Sequence, residues 1–108
     1  MSKFLKLGDA IFRADEVVSV RVLAHPVTQI DVNGHPVRAR TEAQLVIKLG
    51  QRHEVEFFFP VAEYVGDQAE VSAKVKVNDL RRQAEALRGR ILAEAAAVVV
   101  DITPEVAA

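Results

Sequence analysis

The stretch LAHPVTQIDVNGHPVRAR, residues 23–40, holds the feature that most restricts how this chain can fold. Asn33-Gly34 is the dipeptide that best tolerates the positive φ angles of a two-residue type I′ turn. Taken as that turn, it sets Val32 opposite His35, Ile30 opposite Val37 and Thr28 opposite Ala39. Further out, the same register brings Ala24 to Ala43, Val22 to Leu45, Val20 to Ile47 and Val18 to Leu49. These last four pairs are wholly apolar and share one face of the pleat. The other face carries Arg21 with Val46, Ser19 with Lys48 and His25 with Glu42. A slip of one residue would turn the whole apolar set to the opposite face. Turn chemistry and distant pairing therefore agree on one long hairpin. Pro26 and Pro36 lie in its tip half. Proline cannot donate to a ladder and belongs on edges and bulges, so segment 26–36 is expected to project beyond the main sheet.

The register also separates the two His-Pro pairs. His25 stands about seven residues from the turn, roughly 23 Å at about 3.3 Å per residue. His25 and His35 therefore do not share a metal, and no further ligands stand at close spacing. A second hairpin breaks at Gly50. A three-residue loop, Gly50-Gln51-Arg52, sets Ile47 against Val55, Leu45 against Phe57 and Ala43 against Phe59, with Lys48 facing Glu54 on the wet side. His53 then flanks the turn as a solvated residue. At the N-terminus, Gly8-Asp9 folds KFLKL back on AIFR, pairing Leu7 with Ala10 and Leu5 with Phe12. A turn over Ala14-Asp15-Glu16 leads into VVSVRVLA, with Phe12 beside Val18.

After the PVAEYVGDQ loop, AEVSAKVKV alternates strictly, with Val71, Ala73, Val75 and Val77 on one side. It reads as another strand, although Ala and Lys also suit a helix. Asn78 or Asp79 is placed to cap a helix. Leu80, Ala84, Leu87 and Ile91 follow at helical spacing as one apolar stripe, to about Ala97. The closing segment from about 98, VVVDITPEVAA, reads as a short strand or a docked tail. With 108 residues the chain is a single domain with one core. The expected class is α+β: a strongly bent antiparallel meander sheet, or partial barrel, of about six strands with one C-terminal helix packed on it.

The opening FLKLGDAIFRADEVVSVRV, the hairpin LVIKLGQRHEVEF and the closing helix NDLRRQAEALRGRILAEA together resemble a pleckstrin-homology-like (PH-like) domain, in particular small single-domain bacterial proteins of that type. The likeness covers most of the chain and rests on turn and alternation signals. It implies a binding or self-assembly scaffold without a catalytic set. The basic lipid-head-group pattern of some members has no counterpart here, and the long His-Pro hairpin departs from the family pattern. Fold alone does not fix function.

Composition narrows the chemistry. The net charge of −1 provides no global field for nucleic acid or acidic membranes. The absence of cysteine excludes a thiolate nucleophile and a Cys-type zinc site. MSKFLKLGDAIF lacks the apolar core of a signal peptide, no apolar run approaches a membrane span, and a cytoplasmic location is expected. No glycine-rich phosphate loop is present. Ser2, Ser19 and Ser72 have no neighbouring base. Asp15-Glu16 reads as turn residues and Tyr64 as a packing lid on a loop. No cofactor, metal or catalytic residue is expected.

Two surfaces remain. The helix side away from Leu80 carries Ala86, Gly89, Ala93 and Ala96, and a glycine inside a helix costs about 1 kcal/mol against alanine. The outer sheet face adds Phe4, Ile11, Leu23, Val46 and Phe58, more apolar residues than a solvated face needs. The leading reading is a non-enzymatic interaction module that self-associates and binds a protein partner. The alternative is a nucleic-acid-associated accessory protein using Arg38 and Arg40 of the hairpin and Arg81, Arg82 and Arg88 of the helix. It ranks lower because Glu85 lies one turn from Arg81 and Arg88, Glu94 lies one turn from Arg90, and no aromatics interleave to stack bases. A small-molecule enzyme ranks third.

Overall fold

A computed structural model describes residues 3–50 and 53–95. The chain order is β1 (Phe4–Leu7), β2 (Ala10–Arg13), a 3-10 turn (Ala14–Glu16), β3 (Val17–Ile30), β4 (Pro36–Leu49), β5 (His53–Phe58), β6 (Glu63–Val65) and α1 (Ala69–Ala95). The class is α+β, with six strands and one helix among the described residues. The strands form two antiparallel sheets rather than one meander, and neither closes into a barrel: β1 pairs only with β2, while β3-β4-β5 form the main sheet and β6 adds to β4.

The long hairpin holds its expected register from Ser19↔Lys48 to Gln29↔Arg38. Both ends differ. At the tip, the Asp31 carboxylate accepts the N–H groups of Asn33 (2.8 Å) and His35 (2.9 Å). Gly34 donates to the Asp31 carbonyl at 3.1 Å. Among the described residues no non-glycine has positive φ, so Asn33-Gly34 is not a type I′ turn, and of the two only Gly34 has positive φ, at +83°. Aspartate's ability to bond backbone two residues on selects a longer loop, residues 31–35. Ile30 then faces Pro36, not Val37, and a shift between Gln29 and Ile30 restores the register beyond. At the far end Val17, not Val18, faces Leu49; Val18 sits in a bulge and is exposed. The second hairpin has the expected pairs, Lys48↔Glu54, Ile47↔Val55 and Leu45↔Phe57. β1 and β2 pair Leu5↔Phe12 and Leu7↔Ala10 as expected.

Residues 69–77 are helical, not a strand, and α1 starts nine residues before Asn78. Val71, Ala73, Val75 and Val77 satisfy a period of two, but Ala69, Ala73, Val77, Leu80 and Ala84 satisfy a helical period over a longer span. The latter five are the buried ones, while Val71 and Val75 are exposed. Asn78 and Asp79 are therefore mid-helix. Ala96, Ala97 and the VVVDITPEVAA segment lie outside the described residues. Tyr64 is on β6, not in a loop, and it packs over Ala39, Ala69 and Ala73.

The core forms on one face of the main sheet. Val20, Leu45, Ile47 and Leu49 meet Ala84, Ile91 and Ala95 of α1 and Phe12 of β2. The half-buried Val55, Phe57 and Phe59 close its margin against Leu5 and Leu7. Thr41, fully buried, anchors the return chain: its hydroxyl accepts the Ala62 N–H and its own N–H donates to the Ala62 carbonyl, both at 2.9 Å.

A helix and a strand place residue 73 and residue 75 differently, and substitution separates them. Ala73→Asp should cost several kcal/mol, because it buries a carboxylate in a site with no exposure, whereas Val75→Asp should stay within about 0.5 kcal/mol. Urea denaturation of both variants gives the comparison; equal losses would put the two residues back on one face. By the same measurement Ile47→Asp should unfold the protein, while Lys48→Asp should cost about 1 kcal/mol or less.

Candidate interaction surfaces

The outer face of the main sheet is built in rows across β3, β4 and β5: Ser19–Lys48–Glu54, Arg21–Val46–Glu56 and Leu23–Gln44–Phe58, then His25–Glu42. Val46, expected to be part of an exposed interface, is only 3% exposed. Arg21 on β3 and Glu54 on β5 approach to 3.9 Å diagonally across β4, so long polar side chains roof this central position. Phe4 and Ile11 are exposed, but they belong to the separate β1–β2 sheet and do not extend the same patch. Leu23 and Phe58 are exposed on the main sheet as expected. With Val61 they wall a cleft of about 290 Å³, near the lower limit for a small-molecule site.

The polar end of that cleft is His25 and Glu42. Glu42 Oε2 lies 3.2 Å from His25 Nε2, and its Oε1 accepts from Arg40 Nη2 at 3.0 Å. Both carboxylate oxygens are therefore engaged. Gln44 on the floor keeps its Oε1 buried and without a hydrogen-bond partner. His35 is remote, beside Asp31 at 3.9 Å in the turn. Among the described residues no group of three or more His, Asp or Glu side chains is placed to hold a metal.

The helix arginines do unexpected work. Arg81 Nη2 donates to the Ala24 carbonyl at 2.6 Å, and Arg88 Nε donates to the Val20 carbonyl at 2.9 Å. Both carbonyls point away from β4, along the open edge of β3. An unpaired edge is a template for further strands, and two guanidiniums cover this one. Pro26 has the same parity as Val20 and Ala24. Its missing N–H therefore faces the edge and leaves the ladder with β4 intact. Arg81 also bonds Asn78, and Arg88 lies 3.7 Å from Glu85. Arg40 is paired with Glu42. Arg38 and Arg82, on β4 and α1, are exposed. Of the five arginines of the nucleic-acid reading, Arg81 and Arg88 are thus bonded to the β3 edge and Arg40 to Glu42, while Arg38 and Arg82 are exposed. Glu94 pairs with Lys3 at 2.7 Å, and the charge of Arg90 one turn away also acts on it, more weakly. The hydrogen bond and charge of Lys3 hold the Glu94 carboxyl below its usual range. The stabilisation this contributes is present above the unfolded-state pKa and is lost as pH falls through the depressed one.

The outward side of α1 is the third surface. Val71, Val75, Asn78, Arg82, Ala86, Gly89 and Ala93 recur every three or four residues and are all exposed, opposite the buried Ala73, Val77, Leu80, Ala84 and Ile91. A Cβ added at Gly89 would meet nothing within 4 Å. No close approach among the described residues requires the glycine. Ala96, expected on the same line, lies outside the described residues. Beside Val71, Val75 and Arg82 an open hollow of about 540 Å³ runs to Tyr64.

No described helix is long and apolar enough to cross a membrane. Searches of family models, of curated proteins and of solved structures return no match to this chain.

Removing the edge cover should have two effects. Arg81→Ala with Arg88→Ala should lower stability by about 1–2 kcal/mol, and it should make association through β3 rise with concentration. Chemical denaturation and light scattering read the two effects separately. Unchanged scattering would mean that Pro26 and the strand's own twist suffice to guard the edge.

Proposed function

We propose that this protein is a non-enzymatic interaction module of the cytoplasm that self-associates and, in that form, binds a protein partner. The observation that carries the reading is the outward face of α1. It lies diametrically opposite the core, yet along its central line of seven exposed positions only Arg82 is charged, with Glu85 on the flank, and two are valines at 57% and 65% exposure. A helix side with only water to face is normally polar. An exposed apolar face of this kind marks an interaction site. The sheet-face version of self-association has less to support it, because Val46 is roofed and Phe4 and Ile11 belong to another sheet. The PH-like resemblance belongs to the same proposal and adds no residue to it. The nucleic-acid reading keeps Arg38 and Arg82 as cations outside the ion pairs found among the described residues, and its signature would be affinity that falls steeply with salt.

Sedimentation velocity at micromolar concentration tests the leading reading. The wild type should be a homodimer or a higher symmetric oligomer. Gly89→Arg should give a folded monomer, since position 89 opens to solvent with ordinary backbone geometry. Phe58→Glu should leave the assembly intact. A dimer broken by Phe58→Glu and not by Gly89→Arg would move the interface to the sheet cleft. A wild type monomeric at several hundred micromolar would remove the proposal.

A further inference from the structure

We infer that the partner on α1 is a second copy of this chain docked antiparallel, with the two-fold axis passing beside Arg82. This rests on the self-association reading above and adds its geometry. The exposed side of α1 is polarised by size. Its N-terminal half presents Val71 and Val75, side chains that stand out into solvent. Its C-terminal half presents Gly89 and Ala93, and the space over Gly89 is open. A parallel pair would set valine against valine and leave a gap at glycine against glycine. An antiparallel pair sets Val75 of one copy over Gly89 of the other, and Val71 over Ala93. These pairs and Arg82 with itself are equidistant in sequence from one centre, as a two-fold contact requires. Side chains of one helix then fill the depressions of the other, which is how closely packed helices meet.

The charges agree with the same arrangement. Arg82 comes near its symmetry mate at the axis, and in that register the Glu85 of the opposite copy lies one turn away from it on the same side. Glu85 lies 3.7 Å from its own Arg88, so it flanks the like-charge pair as a carboxylate shared between the two chains' arginines. Arg81 and Arg88 are held on the β3 edge and do not enter the contact. The contact spans residues 71–93, about 33 Å at roughly 1.5 Å per residue. A single helix pair of that length makes a small interface.

Disulfide trapping tests the register, and the chain's lack of native cysteine makes it clean. Val75→Cys and Gly89→Cys are prepared separately, checked for native circular dichroism, mixed and mildly oxidised. A disulfide needs Cα atoms within about 7 Å. The mixture should yield a mixed disulfide as the main dimer, and each variant alone should yield several-fold less. Arg82→Cys alone should trap itself at the axis. Strong self-trapping by Val75→Cys or by Gly89→Cys would overturn the antiparallel register and leave self-association standing, as would a dimer in sedimentation that none of the three variants traps. A wild type that sediments as a monomer would overturn both.

Discussion

The fold depends on one side-by-side contact, in which a long helix lies along a long strand pair. β3 and β4 each run for 14 residues, and α1 runs for 27. At about 3.4 Å and 1.5 Å per residue, these are elements of similar length. The contact begins at Ala39 against Ala69 and Ala73 and ends where Ile91 and Ala95 join the cluster of Ile47 and Leu49. Alanines stand at close approaches on the helix, facing Ala39 at one end and the larger Leu45 and Ile47 towards the other, so the helix can sit low on the sheet. The β1–β2 unit then fills the remaining margin with Leu5, Leu7 and Phe12, and Lys3 reaches Glu94 across it.

What was legible in the sequence was what local chemistry fixes without competition. The pairs Val20–Ile47, Val22–Leu45 and Ile47–Val55 follow from period-two burial, and a half-buried sheet tolerates no alternative register for them. The tip was legible only in part. Asn33-Gly34 gives a strong turn signal, but Asp31 two residues earlier has a carboxylate that captures two backbone N–H groups, and that capture decides the loop. Residues 69–77 misled because Val, Ala and Lys at alternating positions satisfy two periods at once. Only the continuation through Leu80 and Ala84 breaks the tie, and a window stopping at Asn78 misses it.

The surfaces show the same limit from the other side. Ala86, Gly89 and Ala93 share an exposed line because helical spacing alone determines it, and Val71 and Val75 joined that line only once their segment proved helical. Val46 is apolar and on the outer face, as its register says, yet burial there depends on how far Arg21 reaches across a neighbouring strand. Arg81 and Arg88 look like a basic helix face in sequence. Their bonds to strand carbonyls depend on tertiary placement that no spacing rule contains.

That arginine cover has a consequence for how the chain is made. Synthesis runs from the N-terminus, so β3 and β4 are complete while the residues that shield them do not yet exist. At roughly 5–20 residues per second, the interval between Leu49 and Arg88 lasts about 2–8 seconds. Throughout it the nascent hairpin exposes both its apolar face and its raw β3 edge, and a hairpin alone is marginal in water. Newly made chains held close together on one messenger would pass through this window in the same place, and the final helix ends it for the hairpin's face and edge in one docking event.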